Sequence, residues 1–499
     1  MNFDGAVVNI ATLVVLGVAL GCFGTYALIL RGRQQLLVGL GATLAVAVAL
    51  GMSVKVETFS GGLWPTLAWR WASAPDERLG AVKPKLDSAN AVDLATTTPD
   101  DFSQFLGPER RNTVTSVAIE TDWVAHPPKL VWKREIGAGW ASFAAVNGFA
   151  VTLEQRGEKE LVTCRDIKTG DVRWVHEVVT RHESVLGYVG PRSTPTIVGG
   201  LVYALGATGV LRCLNGADGS EVWLHDLFAE RGFDQRQAEE GVWWGRAASP
   251  LVRDGRVYVP VGGPAEGPFT TLAAYDAVNG DLLWECPGKQ ASYASPAWGE
   301  FHGVAQVLSV NEDYVTGHDP DTGKQLWEFE WPGKSGADAN VSQAVPIDDR
   351  SLFISKGYGG DAAVYELAVS DEGAWSVKPR WSKKVLKTKF SNVSLKDGHA
   401  YGLDHGVLTC VDLETGRRAW KRGRYNYGQS LLVGDQLLII SEDGEIALAA
   451  ANPEGFHEFG RVSALDGQTW NNPCLYGKYL LFRNATEAVC YELAVTAHP

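Results

Sequence analysis

An eleven-residue phrase recurs five times along this chain: "CRDIKTGDVRW" at 164–174, "CLNGADGSEVW" at 213–223, "AYDAVNGDLLW" at 274–284, "GHDPDTGKQLW" at 317–327 and "CVDLETGRRAW" at 410–420. Aligned, the copies keep a small residue first and Asp or Asn third (Asp166, Asn215, Asp276, Asp319, Asp412). Gly stands seventh (Gly170, Gly219, Gly280, Gly323, Gly416) and Trp eleventh (Trp174, Trp223, Trp284, Trp327, Trp420). The Asp ends a strand and bonds the amides of a turn, the Gly supplies the positive φ that a tight turn demands, and the Trp opens the returning strand. Upstream of each turn come two more strand-like runs, plain in "SPLVRDGRVYVPVGG" and "NVSLKDGHAYGLDHGVLTCVD", with Asp254-Gly255 and Asp397-Gly398 as hairpin turns.

The unit is thus three strands, a turn and a fourth strand carrying Trp. Units of this kind about every 40 to 60 residues predict an all-β chain folded as a β-propeller, because one blade cannot bury both of its faces alone. Weaker copies add Trp381 in "PRWSKKV" and Phe459 in "AAANPEGFHEF". "LVWKREI" offers Trp132 with no turn before it, and "AVCYEL" (488–493) ends three strands with no Trp strand after them. The two parts complete one blade, so the C-terminal strands are expected to pair with the N-terminal strand and close the ring. The result is eight four-stranded antiparallel blades, marked by Trp132, Trp174, Trp223, Trp284, Trp327, Trp381, Trp420 and Phe459.

Composition agrees with this reading. Glycine (56) and tryptophan (18) are abundant and methionine (2) is scarce, which suits short strands and tight turns. A formal charge of −13 lacks the clustered cations that neutralise phosphates, so no nucleic-acid partner is expected. Cys164, Cys213, Cys410 and Cys490 all open the phrase; equivalent points on neighbouring blades are too far apart to bridge, which makes them packing residues. Cys286 and Cys474 are left over, and Cys22 lies in an apolar stretch.

That stretch, Val7 to Leu30, and a second, Leu36 to Val54, carry no charge, and only "RGRQQ" separates them. Each is long enough to cross a bilayer, and Arg31 and Arg33 place the short loop in the cytoplasm. The expectation is two transmembrane helices over residues 1–55 in the inner (cytoplasmic) membrane, with the propeller facing the periplasm. Trp64, Trp69 and Trp71 follow where aromatic rings sit at a membrane interface, and the aperiodic residues 74–101 read as a linker. Residues 56–127 form a juxtamembrane segment, linker and N-terminal extension, and residues 128–499 the propeller.

In a propeller the innermost strand of each blade lines a central channel. Registering the blades on their first hairpins puts Ser142, Thr194, Ser249, Ser295, Ala344, Asn392, Gln429 and Asn472 around its mouth, with Trp140, Arg192, Arg246, Tyr293, Phe390, Tyr427 and Trp470 just upstream. Flat rings and guanidiniums can stack a planar or anionic ligand and bond its edges. The candidate ligand site is therefore Trp140, Arg192, Thr194, Arg246, Ser249, Tyr293, Asn392, Tyr427, Gln429, Trp470 and Asn472. The competing reading is that short polar side chains at strand starts satisfy backbone groups. His182 and Glu183 adjoin without an HExxH pattern, His399 and His405 sit in a hairpin turn and a loop, and "VGGPAEGP" precedes no helix, so neither a metal site nor a phosphate cradle is expected.

The repeated phrase resembles the tryptophan-docking repeat of pyrroloquinoline quinone (PQQ) propellers, over residues 128–495. That superfamily includes quinoprotein alcohol dehydrogenases and the Bam-complex lipoprotein of outer-membrane protein assembly. "DFSQFLGPERRNTV" (101–114) is similar to the opening of PQQ-like repeat proteins of planctomycete-type bacteria. The resemblance implies the fold and not the function; the expectation is a scaffold without catalysis or cofactor, whose partner is an envelope or outer-membrane protein or a small planar or anionic ligand. The alternative that the resemblance raises is a dehydrogenase oxidising alcohols or sugars with PQQ and calcium. Such enzymes use carboxylates around the cofactor and, in the alcohol-oxidising members, an adjacent-cysteine disulfide; this chain has no Cys-Cys pair and no Asp or Glu among the eight mouth positions.

Overall fold

The computed structural model describes residues 48–85, 91–333 and 339–497, with Gly17, Gly21, Gly41 and residues 44–46 besides. The chain divides into two compact units, residues 1–74 with 183–188, and residues 75–182 with 189–499. In the first unit residues 48–53 are helical and lead into a hairpin of Val54–Phe59 and Pro65–Trp69. Val54 thus starts a strand rather than ending a helix. The two apolar segments expected to span a membrane lie mostly outside the described residues, among which no helix is long and apolar enough to cross one.

The second unit is the propeller. Its first blade runs Ala144–Val146, Phe149–Arg156, Lys159–Asp166 and Val172–Val179, hydrogen-bonded in chain order. Among the described residues eight such sheets follow one another, and the last is closed as the repeat requires: Cys474–Tyr476, Tyr479–Arg483 and Glu487–Glu492 take Lys129–Glu135 as their fourth strand, with Cys490 opposite Trp132. The hairpin turns read from sequence are present, Asp254 and Gly255 at φ 50° and 73°, Asp397 and Gly398 at 47° and 74°. The seventh blade departs from expectation. A fifth strand, Thr113–Val114, pairs in parallel with its innermost strand.

The phrase residues explain how blades join. Asp166 Oδ1 accepts the Lys168 and Thr169 amides at 2.9 and 3.0 Å, and Asp276, Asp319 and Asp412 hold their turns likewise. The Gly that follows lies under the indole of the preceding blade. A Cβ on Gly170 would come within 2.8 Å of the Trp132 ring, on Gly219 within 2.5 Å of Trp174, on Gly280 within 2.8 Å of Trp223 and on Gly416 within 2.6 Å of Trp381. Each indole N–H then donates to a carbonyl of the same turn, Trp132 to Ile167, Trp174 to Gly216, Trp223 to Ala277, Trp284 to Pro320, Trp381 to Leu413 and Trp420 to Asn452, at 2.7 to 3.2 Å.

Trp327 is the exception, because the next blade joins its last two strands by an expanded turn; its indole bonds Gln306 Oε1 of its own blade at 2.6 Å. Phe459 has no N–H and is only half-buried, with Trp123 of the N-terminal extension packed beside Gly460. The small first residue of the phrase faces the Trp of its own blade, Cys164 opposite Trp174, Cys213 opposite Trp223 and Cys410 opposite Trp420. All six cysteines among the described residues are buried and free.

The N-terminal extension runs inside the ring and meets each blade in turn. Asp100 accepts from Gly477 of the eighth blade, Phe102 pairs with Ala145 of the first, and Ser103 accepts from Ile197 of the second. The Arg110 guanidinium donates to the carbonyls of Ser249, Pro250 and Pro296 in the third and fourth at 3.0 to 3.1 Å, and its own carbonyl takes the Gln343 amide of the fifth. Asn112 exchanges bonds with Ser394 of the sixth before Thr113–Val114 joins the seventh. Leu106, Arg110 and Asn112 all hold positive φ (63°, 54° and 58°), the bends that coil the segment within the channel.

The docking geometry separates two costs of adding a methyl group. Gly255 has φ 73° and open space around it, whereas Gly219 has φ 74° and an indole on top. Gly255→Ala is expected to cost about 1 kcal/mol of backbone strain, and Gly219→Ala about 2 kcal/mol more through overpacking, read as shifts in urea unfolding midpoint.

Candidate functional site

The residues registered around the channel mouth form a belt that joins blade to blade. The Ser142 amide donates to Thr194 Oγ1 (3.3 Å), the Thr194 amide to Ser249 Oγ (2.8 Å) and the Ser249 amide to Ser295 Oγ (2.9 Å). On the far side Gln343 N–H donates to Asn392 Oδ1 at 3.0 Å, and Gln429 Nε2 bridges the Phe390 and Trp470 carbonyls. The residue that serves the belt is one position away from expectation in two blades. In the fifth the position falls on Gln343, beside the apolar Ala344; the Gln343 backbone amide makes the belt bond while its side chain serves the Arg110 carbonyl. In the eighth it is Asn471, which donates to the Ala141 carbonyl at 2.7 Å, while Asn472 contributes its carbonyl to Ser142 Oγ. Thr194, Ser249 and Asn392 therefore spend their side-chain oxygens on neighbouring blades.

The upstream residues assemble in two sectors. In one, Trp470 packs between Trp140 (ring centroids 4.9 Å) and Phe390 (4.6 Å), and Phe390 meets Tyr427 at 5.8 Å. In the other, Tyr293 stacks on Trp244 at 5.0 Å and its hydroxyl accepts the Trp244 amide at 3.3 Å, near Arg246 and Arg192. Tyr358 links them, 5.7 Å from Trp244 and beneath Lys389 Nζ, which also caps the Tyr427 ring at 4.7 Å. Sequence registration missed Trp244, Tyr358 and Lys389. "WW" before Arg246 was the only local signal; Tyr358 and Lys389 stand in loops outside the repeat.

Arg246 is the unusual group. It is 4% exposed, its guanidinium lies 4.3 Å over the Phe228 ring, and Nη1 reaches the Ala238 carbonyl only at 3.5 Å. Nε and Nη2 meet no acceptor among the described residues. Burial pulls its pKa down to about 9 and that of Arg192 to about 10, so both remain cationic at neutral pH; Arg192 donates to the Gly190 carbonyl. Burial also pushes the Tyr293 phenol up, keeping it a neutral donor and acceptor. Cationic donors walled by rings can receive an acidic or carbonyl oxygen on a flat molecule.

The donor set does not match a calcium cradle. Among the described residues no three His, Cys, Asp or Glu side chains converge as metal ligands, and calcium needs several oxygens including carboxylates. His182, beside this sector, is held neutral: burial and then Arg192 lower it to about 4 against the pull of Glu239 at 3.7 Å. His318, in the fourth blade, is likewise lowered to about 4 by burial.

Two tests follow from these environments. Arg110 has three carbonyl acceptors and Arg246 almost none, so Arg110→Met is expected to lose about 3 kcal/mol by orphaning those carbonyls, whereas Arg246→Met gains about 1 kcal/mol; urea unfolding of both variants separates them. For His182 and His318 the folded pKa lies below the ordinary value near 6.5, so their stability contribution is full above that value and is lost as pH falls from there toward 4. His318→Gln should flatten that acid slope by up to about 3 kcal/mol, measured as unfolding free energy at pH 7 and pH 4.5.

Comparison with known proteins places these features. The family model described as outer membrane protein assembly factor BamB matches residues 126–232 and 158–422. BamB of Shewanella oneidensis is 21% identical over 363 residues, covering 70% of this chain and 85% of that protein. Quinohemoprotein alcohol dehydrogenase ADH-IIG of Pseudomonas putida is 24% identical over 256 residues, 46% of this chain but 32% of that enzyme. Among solved structures, BamB from Moraxella catarrhalis shares the fold with a TM-score of 0.52 at 14% identity, covering 73% of this chain and 99% of that one. With its blades, its docking tryptophans and more than half its length matched, this chain belongs to the PQQ-like propeller family described as outer membrane protein assembly factor BamB.

Proposed function

We propose that this chain is an envelope scaffold without catalytic activity, anchored in the inner membrane by its N-terminal apolar segments, with the propeller in the periplasm. Its partner on this reading is an outer-membrane or other envelope protein, held by an extended segment. The observation that supports this most is the edge of the third blade. Leu282–Pro287 is the last strand of its sheet, and it exposes Leu282 (49%) and Leu283 (45%) next to Val278 (69%) in the preceding turn. An open edge offers unpaired amides and carbonyls to an incoming strand, and the apolar side chains add contact. The channel is a poorer place for a polypeptide, since the chain's own residues 102–114 already bond to its innermost strands.

A second reading, a PQQ-dependent dehydrogenase, is favoured by the similarity to quinohaemoprotein enzymes and by the half-satisfied Arg246, which suits a planar anionic ligand at the mouth. Against it stands the lack of converging carboxylates for calcium. The two readings separate cleanly. A photo-crosslinking residue at Leu283 in intact membranes is expected to capture an outer-membrane or envelope protein, with at least a several-fold loss when Leu282 is changed to Glu and no capture from Val124. Absence of an adduct at Leu283, together with dye reduction by purified protein given PQQ, calcium and an alcohol or aldose, would replace the scaffold reading with the enzyme.

A further inference from the structure

The hairpin of the first unit is amphipathic, and much of its apolar face is exposed. Directly opposed residues of an antiparallel pair share a face, and the register sets Val54 against Trp69, Val56 against Leu67 and Phe59 against Pro65. That face is wholly apolar. The other face carries Lys55 against Ala68 and Thr58 against Thr66, with Glu57 unpaired at the register shift between Val56 and Thr58. Ordinarily the apolar face would be the covered one. Here Leu67 is 56% and Trp69 51% exposed beside an exposed Pro65, with Val54, Val56 and Phe59 half-buried, while on the polar face Thr66 is exposed and Thr58 is 7% exposed.

The turn continues the pattern. Leu63, at φ 64°, and Trp64 project at 63% and 78% exposure, pinned by Ser60, whose hydroxyl and amide bond the Trp64 backbone. Trp71 stacks on Trp69 at 5.1 Å and is 70% exposed. No charged residue occurs from Thr58 to Trp69, or from Leu36 to Val54, and the helical residues just before the hairpin expose Val48, Leu50 and Met52 as well. The apolar face thus begins where an apolar segment ends.

We infer that the Val54–Trp69 hairpin lies on a lipid bilayer with its Val54, Val56, Leu67 and Trp69 face toward the acyl chains and its tryptophans at the headgroup level. Trp favours that level because it is amphipathic, with an apolar ring and one N–H. Lys55 and Arg70 flank the face and can reach the headgroups. The inference rests on the anchored reading above and adds a second, surface contact to it. Such a contact would hold the chain leaving the membrane flat against the bilayer instead of free to swing.

The test compares two adjacent positions on opposite faces. Full-length chain carrying Leu67→Cys or Thr66→Cys, labelled with an environment-sensitive fluorophore, is reconstituted in phosphatidylcholine–phosphatidylglycerol nanodiscs, with unsubstituted chain as the labelling blank. Quenching by doxyl-labelled lipid should be several-fold stronger at position 67 than at 66, and quenching by aqueous iodide the reverse. Equal iodide quenching at both positions in chains retained by the discs overturns the inference and leaves the anchor standing. Protection of position 67 from both quenchers overturns it in favour of a protein partner. Chain that never enters the discs overturns the anchored reading, and this inference with it.

Discussion

An indole lying on a glycine of the next blade is the contact on which this molecule depends. A blade buries one face against each neighbour, and these contacts recur around the ring that the pairing of Lys129–Glu135 with Glu487–Glu492 closes. The seventh residue of each phrase must be Gly on two grounds: its φ of 65° to 81° suits no β-carbon, and the neighbouring indole fills the space that carbon would need. The Trp N–H then finds a carbonyl in the same turn, so the polar edge of the ring is satisfied as it is buried. Where one partner is altered, the arrangement adapts locally. Trp327 turns to Gln306 in its own blade, and in the strand of Phe459 it is the adjacent Gly460 that lies against Trp123 from outside the repeat.

Buried charge reinforces the blades on either side of the closure. Glu160 of the first blade pairs with Arg212 of the second, both with essentially no exposure, and Arg483 of the eighth donates to the Leu153 carbonyl of the first. Burial works against ionisation of Glu154, and Arg165, Arg156 and Arg483 together overcome it and hold that carboxyl below its usual range. The same logic explains the N-terminal extension. Innermost strands leave carbonyls facing a narrow channel, and Arg110 gathers three of them with one planar fork. The segment gives the channel the backbone partners that water would otherwise supply.

The mouth combines two roles that are easily confused in sequence. Short polar residues there were candidates for ligand binding, and Thr194, Ser249 and Asn392 proved to be bonded to adjacent blades. The unused guanidinium donors and clustered rings lie one layer upstream, with Arg246, Tyr293 and the Trp140–Trp470–Phe390 group. Registration on hairpins found most of that layer because it sits at a fixed offset from the repeat. It missed Tyr358 and Lys389, which loops of irregular length deliver, and it was one residue off at Gln343 and Asn471, where strand starts are not set by the phrase.

The sequence by itself determined the blade number, the closing strand and the identity of the docking residues, because those follow from a periodic pattern in which each position has one local duty. Asp166 holds its own turn and Cys164 its place opposite Trp174 of the same blade whatever else the chain does. Only the tertiary structure decided that residues 102–114 coil within the channel and that Arg246 is left with unused donors. Those outcomes depend on carbonyls, rings and loops brought together from distant blades, and no spacing along the chain encodes distances between parts that meet only when the ring closes.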